Sequence, residues 1–259
     1  TLGVMANQQS YYHKNEEYAE FLDGWDSGFY AKYAETLCPD EPGGQALDVG
    51  CGVGQVMQRL IDAGHEAHGV EVSGPNIEKA KRITEHCQLY DGRKLPYGDA
   101  TFDSVGALNV LEHVEEPEAF LEELVRVVKP SGKIVVSSPN FFRALGLHDY
   151  HPHMRGLGNK WRNWRRLLEK RRQMAKNHGS VRFDRMEPIR RKPFQPDDDA
   201  IVATNGIEIQ FFLEQNDCDV LRVECTDRHV PKLVDLALNL GPWRYFIFNA
   251  FVVARRKAS

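Results

Sequence analysis

The stretch ALDVGCGVGQVMQRL, residues 46–60, constrains the fold more than any other part of the chain. A short run ending in Asp48 and Val49 meets three glycines at alternate positions, Gly50, Gly52 and Gly54, with Cys51 among them. A helical spacing of apolar residues then continues to about Ala63, where Gly64 supplies a stop. A strand passing directly into a helix needs a sharp turn. Residues without Cβ permit that turn and let a ligand lie against bare backbone. The spacing is G-x-G-x-G, not the G-x-G-x-x-G of dinucleotide binders. A tight turn that holds nothing satisfies the same residues.

The surroundings repeat the pattern. Strands are predicted at 65–73, 87–91, 102–110 and 133–139, with helices at 75–86 and 117–128 and a turn at 129–132. Alternation of this kind implies right-handed crossovers and a mostly parallel sheet with helices on both faces. Regularity stops between Phe141 and Ala200, where no strand is expected; a gap of that length reads as a lid or an inserted subdomain. A helix at 206–218, a strand at 219–227, a helix at 232–240 and a long final strand at 243–256 follow. Aromatic residues Tyr18, Phe21, Trp25, Phe29 and Tyr33 share a face of one or two helices near the start. Three parts result: 1–142, with the N-terminal helices and the first half of the sheet; 143–200, a helical insertion; and 201–259, which completes the sheet.

In such a sheet ligands sit beyond the C-terminal strand ends. Three consecutive ends carry glycine or an acid: the turn after Asp48, Glu71 after the second strand, and Asp91 with Gly92 after the third. Glu71 can accept hydrogen bonds from two ribose hydroxyls. Asp91 can accept one from an adenine amino group, with Gly92 leaving room for the ring. Together they point to an adenosine-containing ligand.

The segments LDVGCGVG, VEVS, LPYGDATFDSV and NVLEHVEEPEAFLEELVRVVKPSGKIVVSSPN resemble the successive motifs of class I S-adenosylmethionine-dependent methyltransferases. The likeness is strongest to the group of ubiquinone-biosynthesis and small-molecule methyltransferases. It covers 40–140 and returns at 206–256, leaving 143–200 uncovered. It implies a Rossmann-like, seven-stranded sheet with an antiparallel last strand, and S-adenosylmethionine as cofactor. It implies that Asp48, Gly50, Cys51, Gly52 and Gly54 hold the methionine part, Glu71 the ribose, Asp91 and Gly92 the adenine, and that Asn109 meets the methionine end.

Methyl transfer to a hydroxyl is helped by a general base. His113 in LEHV and His148 in HDYHPH are the candidates, with His151 a further one from that loop. Structural roles compete for each. The HDYHPH spacing matches no metal signature, so no metal is expected.

Charge is unevenly spread. Residues 151–192 hold 14 Lys and Arg against three acids, a balance of +11, so a net charge of −4 leaves −15 elsewhere. Within this region 159–176 reads as a helix with Trp161, Trp164, Leu168 and Met174 or Ala175 on one face. It fits a lid, a pocket for an anionic small molecule, a membrane-surface helix or an RNA contact. The acidic body and the lack of an RNA-binding module argue against nucleic acid. The acids of PFQPDDDA, 193–200, either pair with this segment or form a solvated run.

Five cysteines without a C-x-x-C pair argue against a disulfide framework. With no secretory leader and no long apolar run, the expected setting is cytoplasmic. The reading is a small-molecule O-methyltransferase. The alternatives are an RNA or lipid methyltransferase and a non-catalytic cofactor-binding scaffold.

Overall fold

A computed structural model describes residues 27–146, 149–176, 178–189 and 197–258. The earlier part of the expected N-terminal aromatic face, Tyr18, Phe21 and Trp25, lies outside the described residues. Strands β1 (Gln45–Val49), β2 (Glu66–Glu71), β3 (Cys87–Leu89), β4 (Phe102–Leu108) and β5 (Val128–Pro139) alternate with helices. These are α1 (Ala31–Leu37) before β1, α2 (Gln55–Asp62), α3 (Gly74–Ala80) and α4 (Pro117–Val127). The insertion follows, with α5 (Leu157–Lys176) and a two-stranded ribbon of β6 (Asp184–Arg185) and β7 (Val202–Ala203). The chain then runs through α6 (Gly206–Gln215), β8 (Cys218–Glu224), α7 (Lys232–Asn239) and β9 (Asn249–Arg256).

The main sheet has seven strands in the order β3-β2-β1-β4-β5-β9-β8. All neighbours are parallel except β9, which is antiparallel to both β5 and β8. On one face α4 and α6 bury Leu121, Leu124 and Ile209 against Leu47, Val105 and Val136. On the other, α1, α2 and α3 bury Leu37, Met57 and Ile77 against Ala46, Val135 and Val253. Each large apolar side chain so buried contributes about 1.5–3 kcal/mol, which holds the strand ends in fixed relation.

Local chemistry explains most boundaries. Gly54 caps α2 at φ 93°, and Gly64 leaves it at φ 86°. Ser73 caps α3 by accepting from the Asn76 amide, with Pro75 in the first turn. That helix is shorter than the expected 75–86. Its end tightens into three-residue hydrogen bonds, Arg82 N to Lys79 O and Ile83 N to Ala80 O.

Four other expectations change. The predicted turn at 129–132 is a bulge inside β5, since Phe102 pairs with Val128 and Ser104 with Lys133. The region 141–200 does contain a strand, β6. The final strand starts at Asn249 rather than 243, because Pro242–Tyr245 form a 3-10 turn and Phe246 packs on Trp164 at 4.9 Å. The buried face of α5 is Asn163, Leu167 and Lys170, with Trp164 half-buried, while Trp161 is 65% exposed. The turning force is polar: Asn163 Nδ2 donates to the Phe141 and Arg143 carbonyls at 3.1 Å, and Lys170 is buried with its own partners.

Candidate active site

The turn between β1 and α2 is built as its glycines require. Gly50, Gly52 and Gly54 have φ of 76°, 52° and 93°, in the region that side chains disfavour. A Cβ on Gly50 would come 2.3 Å from Val110, beyond the end of β4. Asp48 is buried beneath the turn, and Tyr33 Oη of α1 donates to its Oδ1 at 3.0 Å. Burial pushes the Asp48 carboxyl up to about 7, opposed by that hydrogen bond and reinforced by the Glu71 charge. Cys51 is buried in the same turn and packs toward Gly69 of β2.

Glu71 is also buried, and its carboxylate ties three backbone groups together. Oε2 accepts from Gly52 N at 3.0 Å; Oε1 accepts from Val72 N at 2.7 Å and Ser73 N at 3.0 Å. The acid at the second strand end thus grips the glycine turn itself. Burial raises its pKa, and the three amide donors oppose that rise. Oε1 is filled by its two amide donors, while Oε2, with one, retains lone-pair capacity for a ligand hydroxyl. Asp91 closes a turn after β3, with Oδ1 accepting from Arg93 N and Lys94 N at 2.9 and 3.3 Å. Asn109 sits at φ 53°, its amide donating to Ser137 O at 2.8 Å.

A cleft of about 170 Å³ opens beside these residues. Val72, Gly92, Val110, His113 and Phe120 are among its walls. Val72 follows Glu71 and Gly92 follows Asp91, so two acids stand at the rim of an apolar slot. Such a slot fits a flat ring with polar edges. The donor set and the bare glycine turn together fit an adenosine-containing cofactor such as S-adenosylmethionine.

A polar group lies next to the cleft. Glu112 and His113 form a 3-10 turn just beyond β4. Glu112 is fully buried; its Oε2 accepts from Ser138 Oγ at 2.7 Å, and its Oε1 has no hydrogen-bond partner among the described residues. Burial and the Asp197 charge push its carboxyl well above the usual range. His113 Nδ1 lies 3.7 Å from Asp199 Oδ1, and its Nε2 lies 3.9 Å from Glu112 Oε1. Burial lowers the His113 pKa to about 4, so the ring is neutral at ordinary pH. Burial likewise raises Asp199 to about 7 and Asp197 to about 6. Tyr150 Oη donates to Asp197 Oδ2 at 2.5 Å, and the Arg143 guanidinium lies over the Tyr150 ring.

Asp197 and Asp199 therefore turn inward, toward Tyr150 and His113, and Asp198 is buried, so the three do not form a solvated run. The available sign is that they stand directly before an apolar stretch, 200–203, rather than inside a polar loop. Tyr33 and Tyr150 were also missed as site residues, since each reaches its carboxylate across 15 and 47 residues of chain. His148 lies outside the described residues. His151 is buried, stacked on His153 at 5.2 Å and edge-on to Phe141 at 5.1 Å, a packing position.

Comparison with known proteins agrees with this geometry. Residues 47–136 match a family model described as a methyltransferase domain. The chain carries a class I methyltransferase domain. The match is 36% identical over 107 residues to the mitochondrial ubiquinone biosynthesis O-methyltransferase of Schizosaccharomyces pombe, covering 37% of this chain and 38% of that protein. It is 33% identical over 98 residues to a sterol 4-C-methyltransferase of Caenorhabditis elegans, covering 35% of this chain and 29% of that one. The methyltransferase domain spans less than half the length of these curated relatives. A solved S-adenosylmethionine-dependent methyltransferase from Mesorhizobium loti superposes with a TM-score of 0.56 at 15% identity, covering 91% of this chain and 100% of that one. That likeness shows a shared fold. Among the described residues no helix is long and apolar enough to cross a membrane.

Proposed function

We propose that the protein transfers a methyl group from S-adenosylmethionine to a hydroxyl of a small-molecule acceptor. The observation that carries this reading is the neutral, enclosed His113 beside the adenosine-type cleft, backed by Asp199. When bound, the sulfonium supplies an electrophilic methyl group. Asp48, the glycine turn and Glu71 would hold the cofactor. His113 in its neutral form can take a proton from an acceptor hydroxyl. Asp199 near Nδ1 then favours the charged ring that results. Burial raises the pKa of the Glu112 carboxyl, which lessens negative charge beside His113.

The surrounding carboxyl groups favour hydroxyl-bearing neutral acceptors over anionic ones. Carboxylates accept from hydroxyls and repel phosphate. Two cations of the insertion, Arg166 and Lys170, are engaged elsewhere. Arg166 Nη2 lies 3.2 Å from Asp184, and Lys170 Nζ lies 2.8 and 2.7 Å from Asp184 and Glu208. This supports a covering role for α5.

The test is transfer of labelled methyl from S-adenosylmethionine into a fractionated cell extract, with Gly52→Arg as control. Label in small molecules, absent with Gly52→Arg, is the expected result. Label in lipid or RNA would replace the acceptor class. Tight cofactor binding with no transfer to any fraction would favour a non-catalytic scaffold.

A further inference from the structure

The opposite end of β2 carries a second group of chemically active side chains. Glu66 and His68 are two residues apart on one strand, so their side chains leave the same face of the sheet. Gly69 pairs with Cys87 in the parallel ladder to β3, which sets His86 beside His68 one step earlier. The backbone bond from Gly69 N to His86 O, 2.9 Å, fixes that step. The convergence of the three side chains is therefore imposed by register, not by rotamer choice alone.

The observed contacts follow. His68 Nε2 lies 2.8 Å from Glu66 Oε1, and the two imidazole rings have centroids 4.7 Å apart. One ligand atom from each of the three falls within 4.8 Å of the others. The second oxygen of Glu66 is held by Gln45 Nε2 at 3.1 Å, which orients the carboxylate. Phe102 and Tyr97 stand edge-on to the His68 ring, at 5.2 and 6.1 Å, and wall one side. His86 is on the exposed side and can swing inward.

We propose that Glu66, His68 and His86 bind a divalent transition-metal ion of the zinc class, with water completing the coordination. Imidazole with one carboxylate is a donor set suited to such ions. Tetrahedral ligand atoms at zinc sit about 3.3 Å apart, from bonds of about 2.0–2.1 Å. The required adjustment opens the 2.8 Å His68–Glu66 contact by about 0.5 Å and brings the exposed His86 inward. The ion would join β2 to β3, the three-residue edge strand that leads into Asp91 and Gly92. Its strand ligands Glu66 and His68 lie about 16 and 10 Å from Glu71 along β2, at about 3.3 Å per residue, so it is separate from the cofactor cleft. It stands whether or not the acceptor reading holds.

The experiment is calorimetric titration of untagged, chelator-stripped protein with ZnCl₂, paired with melting curves. One ion per chain is expected, and zinc at a hundredfold over its Kd should raise Tm by about 5 °C. His68→Ala and His86→Ala should each weaken binding at least about tenfold, and Glu66→Gln less. His113→Ala, which removes the imidazole of the other acid–histidine group, should bind as the wild type does. Absence of saturable binding would overturn the proposal, as would equal affinity in His86→Ala. His86 is exposed, so its alanine variant should keep the wild-type Tm in chelator. If His68→Ala fails to fold, the His86 variant decides alone.

Discussion

The floor of the site and the segment proposed to cover it are held by different forces. The floor, from β1 to β4, is positioned by backbone: parallel ladders, a glycine turn and one carboxylate receiving three amide protons. The cover, from Phe141 to Asn205, is positioned by side chains reaching over long distances. Lys170 is buried between Asp184 and Glu208, and Asn163 holds the carbonyls where the chain leaves β5. A backbone-built floor follows from short-range rules and is tolerant of what surrounds it. A side-chain-built cover depends on a few buried groups, each costly to remove.

The sharpest break on the floor side is Gly52→Arg. A long side chain in the turn whose amide reaches Glu71 should lower S-adenosylmethionine affinity at least about a hundredfold by calorimetry, with little loss of Tm. Retained affinity would remove the turn from the cofactor site. His113→Ala comes next: transfer in the labelled-methyl assay should fall about 10²–10⁴-fold while cofactor affinity stays. Because the wild-type ring titrates near 4 and Asp199 near 7, any loss of rate as pH falls below 7 should follow Asp199 and not the ring.

On the cover side, Lys170→Met leaves Glu208 buried without its cation. It should cost about 3 kcal/mol in chemical denaturation and spare cofactor affinity. A Lys170→Met, Glu208→Leu double variant should recover much of that loss. If both cost the same, the pair does not latch the cover.

Asp48→Asn sharpens the comparison with a smaller effect. The native carboxyl titrates near 7, above the ordinary 3.8, so the folded chain holds more protons than the unfolded one between those values. Its contribution to stability falls as pH rises through that window. The amide variant escapes this. Its stability advantage over wild type should open between about pH 4 and 7, level off above, and reach about 1 kcal/mol or more. Smallest of all, replacing the exposed Arg165 and Arg172 by Gln should change stability by under about 0.5 kcal/mol.

The same division explains what could be read from sequence. Gly50, Gly52, Gly54, Glu71 and Asp91 each mark a strand end, and strand ends are local features that periodicity exposes. The β5 bulge hid because its residues, 129–132, have turn chemistry in either setting. Residues 243–248 are apolar enough for a strand, yet they serve the cover: Phe246 packs on Trp164 instead of joining the sheet. The buried face of α5 escaped because it uses Asn163 and Lys170, which an apolar count ranks as surface. Asp197 and Asp199 escaped for the same reason, as their burial depends on Tyr150 and His113, distant in sequence.

The placement of β9 bears on how the molecule is made. It lies between β5 and β8, so β8 has no contact with the parallel strands until β9 arrives. During synthesis the first five strands can associate in order, but α6 and β8 emerge with no sheet edge of their own to join. β5 meanwhile presents an open edge that only β9 should occupy. A nascent chain is thus exposed to mispairing until residues 249–256 leave the ribosome, and that interval is when it would most benefit from a chaperone.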